Sequence, residues 1–401
     1  MLRLASPAGR RSAARLTASL GLAALLLAWG SCSRDPMPQA GEVGAIESPA
    51  TTTADGHLAR GEEALERRDY PRAKEDLEKA LVLFERDQNW EGYVRARNGV
   101  GAVAAGQGDH KAALEHLNAA LATAKERLAP RHTEIARSYQ QIGNVYVSTG
   151  QSVEGLALLG QALALRRAAG GDPAEVPEIL LRMALAHSYL GEDDRALVLL
   201  EEAEALQRKV SRVQPRLAHI LIGKGSALWG QGKYDPAIAA FEQAVEMLQA
   251  QGGVDRAGLA SAYFNLANAY WSKSDYDEAL IFYGKALPLQ VTALGEAHPD
   301  VGTAHLNLAI LDLMRGDYVA CIASAETASK ILVAALGERN QQVVQIYNVL
   351  GSAYTRKGDP DRGLALLETA LALQRSLPAK GSRDAAVIYA SMAEAYRAKG
   401  D

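Results

Sequence analysis

The chain carries eight histidines, two cysteines and 47 acidic residues, the groups from which a metal site, a nucleophile or an acid–base pair would be built. Their spacing builds none of these. The histidines stand apart at 57, 110, 116, 132, 187, 219, 298 and 305. His110 and His116 are the nearest pair in one segment, and no neighbouring Cys or His completes a metal shell around them. There is no HExxH, no CxxC, no GxSxG and no phosphate loop of the GxxxxGK[ST] kind. Acidic pairs such as Glu62-Glu63 and Glu201-Glu202 suit solvated helix faces. His298-Pro299-Asp300 suits the termination of a helix better than catalysis. Cys321 stands where related positions hold alanine, so it reads as a small buried hydrophobe. No catalytic residue, metal ligand or cofactor is assigned on this basis.

Cys32 is the other residue with chemistry open to it. Residues 1–31 hold Arg3, Arg10, Arg11 and Arg15 and no acid, followed by an uncharged, mostly apolar run from Leu16 to Trp29. That is the layout of an export signal, and the run is too short to span a bilayer, which takes about 20 residues. It closes on Gly30-Ser31-Cys32, which resembles the acylation box of bacterial lipoproteins, except that Trp29 stands where that box normally has Leu. The alternative is an ordinary signal cut after Ser33, which would leave an exported or periplasmic chain without a lipid. Twin Arg10-Arg11 is not followed by residues that match a twin-arginine signal well. Ser33 after the cysteine favours the outer membrane of a two-membrane cell. Residues 32–54 are rich in Pro, Gly, Ala, Ser and Thr without a period, and read as a flexible tether.

From residue 55 to 401 the chain repeats. Three columns of small residues recur at 40 to 42 residues. The first reads Gly61, Gly101, Gly143, Ala184, Gly225, Ala267, Ala309, Gly351, Ala393. The second reads Ala73, Ala113, Gly155, Ala196, Ala237, Ala279, Cys321, Gly363. The third is alanine throughout, from Ala80 to Ala370. A larger apolar plug lies between the second and third: Leu77, Leu117, Leu159, Leu200, Phe241, Tyr283, Ala325, Leu367. Ala73, Leu77 and Ala80 stand at i, i+4 and i+7, the buried stripe of a helix. Small residues at these points let neighbouring helices approach, because side chains at a crossing set the separation. A period of this size signals stacked helix pairs and not one globular core. The repeats run at about 55–88, 92–129, 134–170, 175–213, 216–252, 257–297, 299–339 and 341–380, with a last helix at 382–399. Gly108, Gly150, Gly191, Gly232, Gly316, Gly358 and Gly400 fall where first helices end, and Pro71, Pro236 and Pro360 where second helices begin.

The pattern of small residue, helix, turn, aromatic, and second helix with two alanines resembles the tetratricopeptide repeat family. The long period, with "NLA" at 265–267 and 307–309 and "LGEAHPDV" at 294–301, is similar to its kinesin light chain type. The resemblance implies an all-α, right-handed solenoid of about eight repeats whose first helices line a concave face that takes a peptide. It implies no motor function.

On the first helices, positions three before, one after and four after the first column would face that groove. In repeats four to seven they include Leu181, Leu185, Ile222, Trp229, Phe264, Asn268, Trp271, Leu306, Ile310 and Leu313. In repeats three and eight they are more polar, with Asn144 and Asn348 among them. Trp229 and Trp271 stand 42 residues apart, in equivalent positions, and suit interface anchors. The resemblance gives Asn144 and Asn268 the role of holding a ligand's backbone. Two arrangements fit this strip: an open groove for an apolar peptide or helix, or a seam covered by neighbouring helices.

The formal net charge is −4; without residues 1–31 the chain has 39 basic and 47 acidic residues, a balance of −8. No basic stripe marks a nucleic-acid partner. The function expected is a protein-binding scaffold held to a membrane through Cys32, with a protein or peptide partner; an enzyme with an unrecognised site is the alternative.

Overall fold

The computed structural model describes residues 53–168, 175–210, 215–252, 255–377 and 382–400. The expected export signal, Cys32 and nearly all of the tether lie outside the described residues. So do residues 169–174 and 253–254.

Among the described residues there are seventeen α-helices and no strand, so the fold is an all-α repeat solenoid. The helices pair in chain order: α1 (Ala54–Glu66) with α2 (Tyr70–Arg86), α3 (Trp90–Gly106) with α4 (His110–Arg127), α5 (Thr133–Ser148) with α6 (Ser152–Ala168), and α7 (Val176–Tyr189) with α8 (Asp193–Val210). Then follow α9 (Pro215–Gly230) with α10 (Tyr234–Ala250), α11 (Arg256–Ser272) with α12 (Tyr276–Leu294), α13 (Pro299–Arg315) with α14 (Tyr318–Leu336), and α15 (Gln341–Lys357) with α16 (Pro360–Ser376), and last α17 (Ser382–Lys399). The chain divides into two compact units, Met1–Ala262 and Tyr263–Asp401.

Local chemistry sets the turns. The residue two before the start of each of these second helices has positive φ: Gly108 at 81°, Gly150 at 82°, Gly191 at 76°, Gly232 at 78°, Gly316 at 84° and Gly358 at 100°. Repeats one and six use Arg68 at 59° and Ser274 at 69° in the same place, which an L side chain adopts only at a cost. In four repeats an aspartate, Asp69, Asp109, Asp317 or Asp359, then caps the second helix. Asp109 accepts from the Ala112 N–H at 2.9 Å and Asp317 from the Ala320 N–H at 3.0 Å. Three first helices open on asparagine or histidine in this way: Asn340 accepts from the Gln342 N–H, and His132 and His298 accept through Nδ1 from the Glu134 and Asp300 N–H groups. His298 therefore begins the next helix; the expected role in ending the previous one is corrected.

The columns explain the packing. All eight alanines of the third column are fully buried. The first column faces both the small second column, with Ala113 O beside Gly101 and Gly155 O beside Gly143, and the plug of its own repeat. A methyl added at Gly61 would stand 2.6 Å from Leu77 Cγ, at Gly101 2.7 Å from Leu117 and at Gly351 2.6 Å from Leu367. The plug also reaches the next repeat, since a methyl at Gly99 would meet Leu77 at 2.9 Å and one at Gly223 would meet Leu200 at 3.0 Å. Each plug is thus wedged between two consecutive first helices, and the position two before the first column decides what it meets there. Consecutive first helices also touch directly, α1 to α9 in steps of one repeat in the first unit and α13, α15 and α17 in the second.

Candidate functional site

Burial on the first helices decides between the two arrangements of the apolar strip. Leu181, Leu185, Ile222 and Trp229 in the first unit are buried, as are Phe264, Asn268 and Leu306 in the second. The strip is therefore not open along its length. The cause is the close approach that the small residues allow: Leu181 lies where a methyl on Gly223 would meet it at 3.2 Å, so α7 and α9 interlock through it. Trp271, Ile310 and Leu313 in the second unit, and Asn144 in the first, are half-buried. The accessible part of the strip in the second unit is thus three apolar side chains, two of them on α13.

Beside them lies a polar cluster that no motif announced. Tyr283 is the plug of repeat six and is fully buried. Its hydroxyl donates to Asn268 Oδ1 on α11 and accepts from Asn307 Nδ2 on α13 at 3.2 Å. Phe264 meets the Tyr283 ring edge-on at 5.3 Å, and Trp271 does so at 6.4 Å. Burial drives the Tyr283 hydroxyl far above the ordinary phenol pKa, so it stays protonated and able to donate. Asn268 Nδ2 is buried and has no partner. The signal that marks this cluster is a coincidence of columns: a Tyr in the Leu column, an Asn one after the small residue, and Asn307 at the position where a plug meets the following repeat.

Two other asparagines on this face share the property. Asn144 Oδ1 on α5 and Asn348 Oδ1 on α15 are also buried without partners. Asn144 lies in the first unit, Asn268 and Asn348 in the second. In each unit other polar groups of the first helices are paired. Arg95 holds Glu62 through two bonds at 2.7 and 2.6 Å, and Arg356 holds Glu394 at 2.9 and 3.1 Å.

The two acidic residues that follow capping histidines differ in electrostatics. Glu134 is buried but keeps Arg137 at 3.2 Å and Asn98 at 3.5 Å. Asp300, its counterpart, has Thr303 where Arg137 would stand. Its Oδ2 has no hydrogen-bond partner, with His298 Nδ1 at 3.7 Å, and burial pushes the carboxyl up to about 6. Burial also lowers the His298 pKa, so the ring does not supply a charge. Cys321 is fully buried and its thiol is pushed up to about 12, which keeps it unreactive. Among the described residues no group of three or more His, Cys, Asp or Glu is placed to hold a metal ion.

The tetratricopeptide repeat family matches residues 92–168, 216–290 and 259–332, and again 344–377. Among solved structures the chain is similar to a Rap protein complexed with Competence and Sporulation Factor, with a TM-score of 0.59, 13% identity, and 86% of this chain and 97% of that one covered. It is similar to the apo form of the quorum sensor NprR from B. thuringiensis, with a TM-score of 0.57, 16% identity, and coverage of 80% and 87%. It also aligns with BtubC from P. vanneervenii at a TM-score of 0.49, 22% identity, and coverage of 55% and 90%. At these identities the likeness concerns the fold. No curated protein matches the sequence.

Proposed function

Because the chain belongs to the tetratricopeptide repeat family, we propose that it is a non-enzymatic protein-interaction scaffold, tethered to a bacterial membrane through acylated Cys32, that holds a peptide segment of a partner on the first helices of its second unit. The observation that carries the reading is Asn268. Its amide is buried, held on one side by the Tyr283 hydroxyl, and left with an unpaired N–H beside half-buried Trp271, Ile310 and Leu313. A buried donor without a partner costs about 1–3 kcal/mol, which a ligand's main-chain carbonyl would recover. The three apolar side chains would take alternate residues of such a segment. Similar structures with a bound factor or peptide in their names lend analogy at the level of fold alone.

The test is co-purification from native membranes with the tether intact. Trp271→Ala combined with Leu313→Ala should release the partner while the helical circular dichroism stays at the wild-type value. Recovery of the same partner at wild-type yield would reject the peptide site. Labelled palmitate should enter the wild-type chain and be absent from Cys32→Ala; label that persists in the variant would reject the anchor without touching the peptide site.

A further inference from the structure

We propose that the joint between α12 and α13 is a proton-operated clamp, in which the side chain of Asp300 holds the two helices together while it carries a proton and loosens them when it is ionised. The first observation is a recurring contact between repeats. The residue four after the third column, near the end of a second helix, meets the residue nine before the next first column, at the start of the following first helix. Phe84 and Gly92 hold these positions between repeats one and two, where a methyl on Gly92 would stand 2.5 Å from the Phe84 ring. Between repeats three and four they are Arg166 and Glu175, an ion pair at 2.5 Å. Between repeats six and seven they are Gln290 and Asp300, 4% and 9% exposed. Neither Gln290 Oε1 nor Asp300 Oδ2 has a hydrogen-bond partner. The joint therefore sets one buried acceptor against another, where repeats three and four set an arginine against a carboxylate.

The second observation is that the surroundings of Asp300 supply no donor. Glu134, at the same position in repeat three, keeps Arg137 at 3.2 Å. In repeat seven Thr303 takes the place of that arginine, and its hydroxyl donates to Pro299 O at 3.0 Å and accepts from Gln342 Nε2 on α15 at 2.9 Å. The first N–H groups of α13 turn to His298: that of Asp300 donates to its Nδ1, and those of Val301 and Gly302 to its carbonyl. His298 Nδ1 stands 3.7 Å from Asp300 Oδ2, and burial lowers its pKa, as it lowers that of His305 further along α13. From α14 the residues that reach this turn are Ile331 and Leu332, both apolar. Burial is the sole cause of the raised Asp300 pKa, so no charged group on α12, α14 or α15 offsets the carboxylate. A proton on Asp300 resolves the mismatch. The carboxylic acid then donates its O–H to Gln290 Oε1, and one bond closes across the joint with no charge buried. Ionisation removes that bond and leaves a charge beside a second acceptor in a dry contact, which is relieved by letting the start of α13 move from α12 into water. Asn307, two turns further along α13, donates to Tyr283 of α12, so the same movement pulls on that link.

The test reads the joint on the full chain without a partner, so it stands apart from the peptide site. Burial moves the carboxyl from 3.8 to about 6, so an opening that wets it becomes about a hundredfold easier as pH rises from about 4 to about 6, and no easier beyond that. Amide-exchange protection factors in the first turns of α13, which already allow for the intrinsic effect of pH, should fall by about that factor across this interval. Those at the start of α15, where Gln342 holds the position of Asp300, should not. Asp300→Asn keeps a donor toward Gln290 at every pH and should abolish the change. Asp312, at the other end of α13, is raised by burial and by Asp317, and Asp312→Asn should leave the change in place. Gln290→Arg restores the pairing of Arg166 with Glu175 and should keep α13 protected above pH about 6. Protection of α13 that is independent of pH in the wild-type chain overturns the proposal, and so does a pH dependence that persists in Asp300→Asn.

Discussion

Replacing Tyr283 by Phe removes one oxygen from the interior of the second unit and leaves the ring contacts in place. Phe264 and Trp271 would still meet the ring edge-on, so no cavity opens. What is lost is the pair of hydrogen bonds that joins Asn268 on α11 to Asn307 on α13. Asn268 is 5% exposed and Asn307 2%, so water does not replace the hydroxyl easily. Two buried amide groups left short of a partner cost about 1–3 kcal/mol each. Relief from burying a phenol oxygen returns a small part of this, so the net expectation is a loss of about 2–4 kcal/mol. Repeat proteins lose cooperativity between distant repeats, so a single melting temperature is a poor readout. Amide hydrogen exchange is better: protection should fall across α12 and α13 while α1 to α4 keep wild-type rates. Asn268→Leu should already have broken one of the bonds, so the double variant should lose less than the two single losses added together. Wild-type exchange across α12 and α13 in Tyr283→Phe would show that the hydroxyl does not join the helices.

Two further outcomes follow from individual residues. Asp300 is raised to about 6 from an ordinary 3.8, so its contribution is complete below pH about 4 and is lost as pH rises through 6, where the buried carboxyl must ionise in the folded state. Asp300→Asn should therefore raise stability at pH about 8, by up to roughly 3 kcal/mol, and change nothing at pH about 4; thermal melts that show equal gains at both values would reject the assignment. Ser274 holds φ at 69° in the turn where six other repeats use glycine, so Ser274→Gly should stabilise the second unit by about 0.5–1 kcal/mol, seen as a higher denaturant midpoint, and an unchanged or lower midpoint would mean that the turn stores no strain.

Helix pairing was legible in the sequence because its causes are local. Gly108, Gly316 and Gly358 stop helices through their own backbone, and Asp109 and Asp317 start them through bonds spanning three residues. The three columns were legible because every repeat solves the same packing problem with the same residue sizes. Which partner each column meets was not. A first-column glycine and a third-column alanine are alike in size, and only the folded chain shows that the glycine makes room for Leu77 or Leu117.

The candidate site divides along the same line. Periodicity alone put Leu181, Ile222, Phe264 and Leu306 at equivalent positions of successive first helices, and each of them is buried. Whether a face is open depends on how far the next helix stands, and that distance is set by residues a whole repeat away, such as Gly223 against Leu181. Tertiary structure therefore closed most of the strip and left Trp271, Ile310 and Leu313 partly accessible. It also joined Tyr283 to Asn268 and Asn307, 15 and 24 residues away, through bonds that no helical period encodes. Sequence by itself determined the helices, their turns and the residues small enough to pack. The fold decided which of them touch, because contact depends on the spacing between helices that no single helix carries.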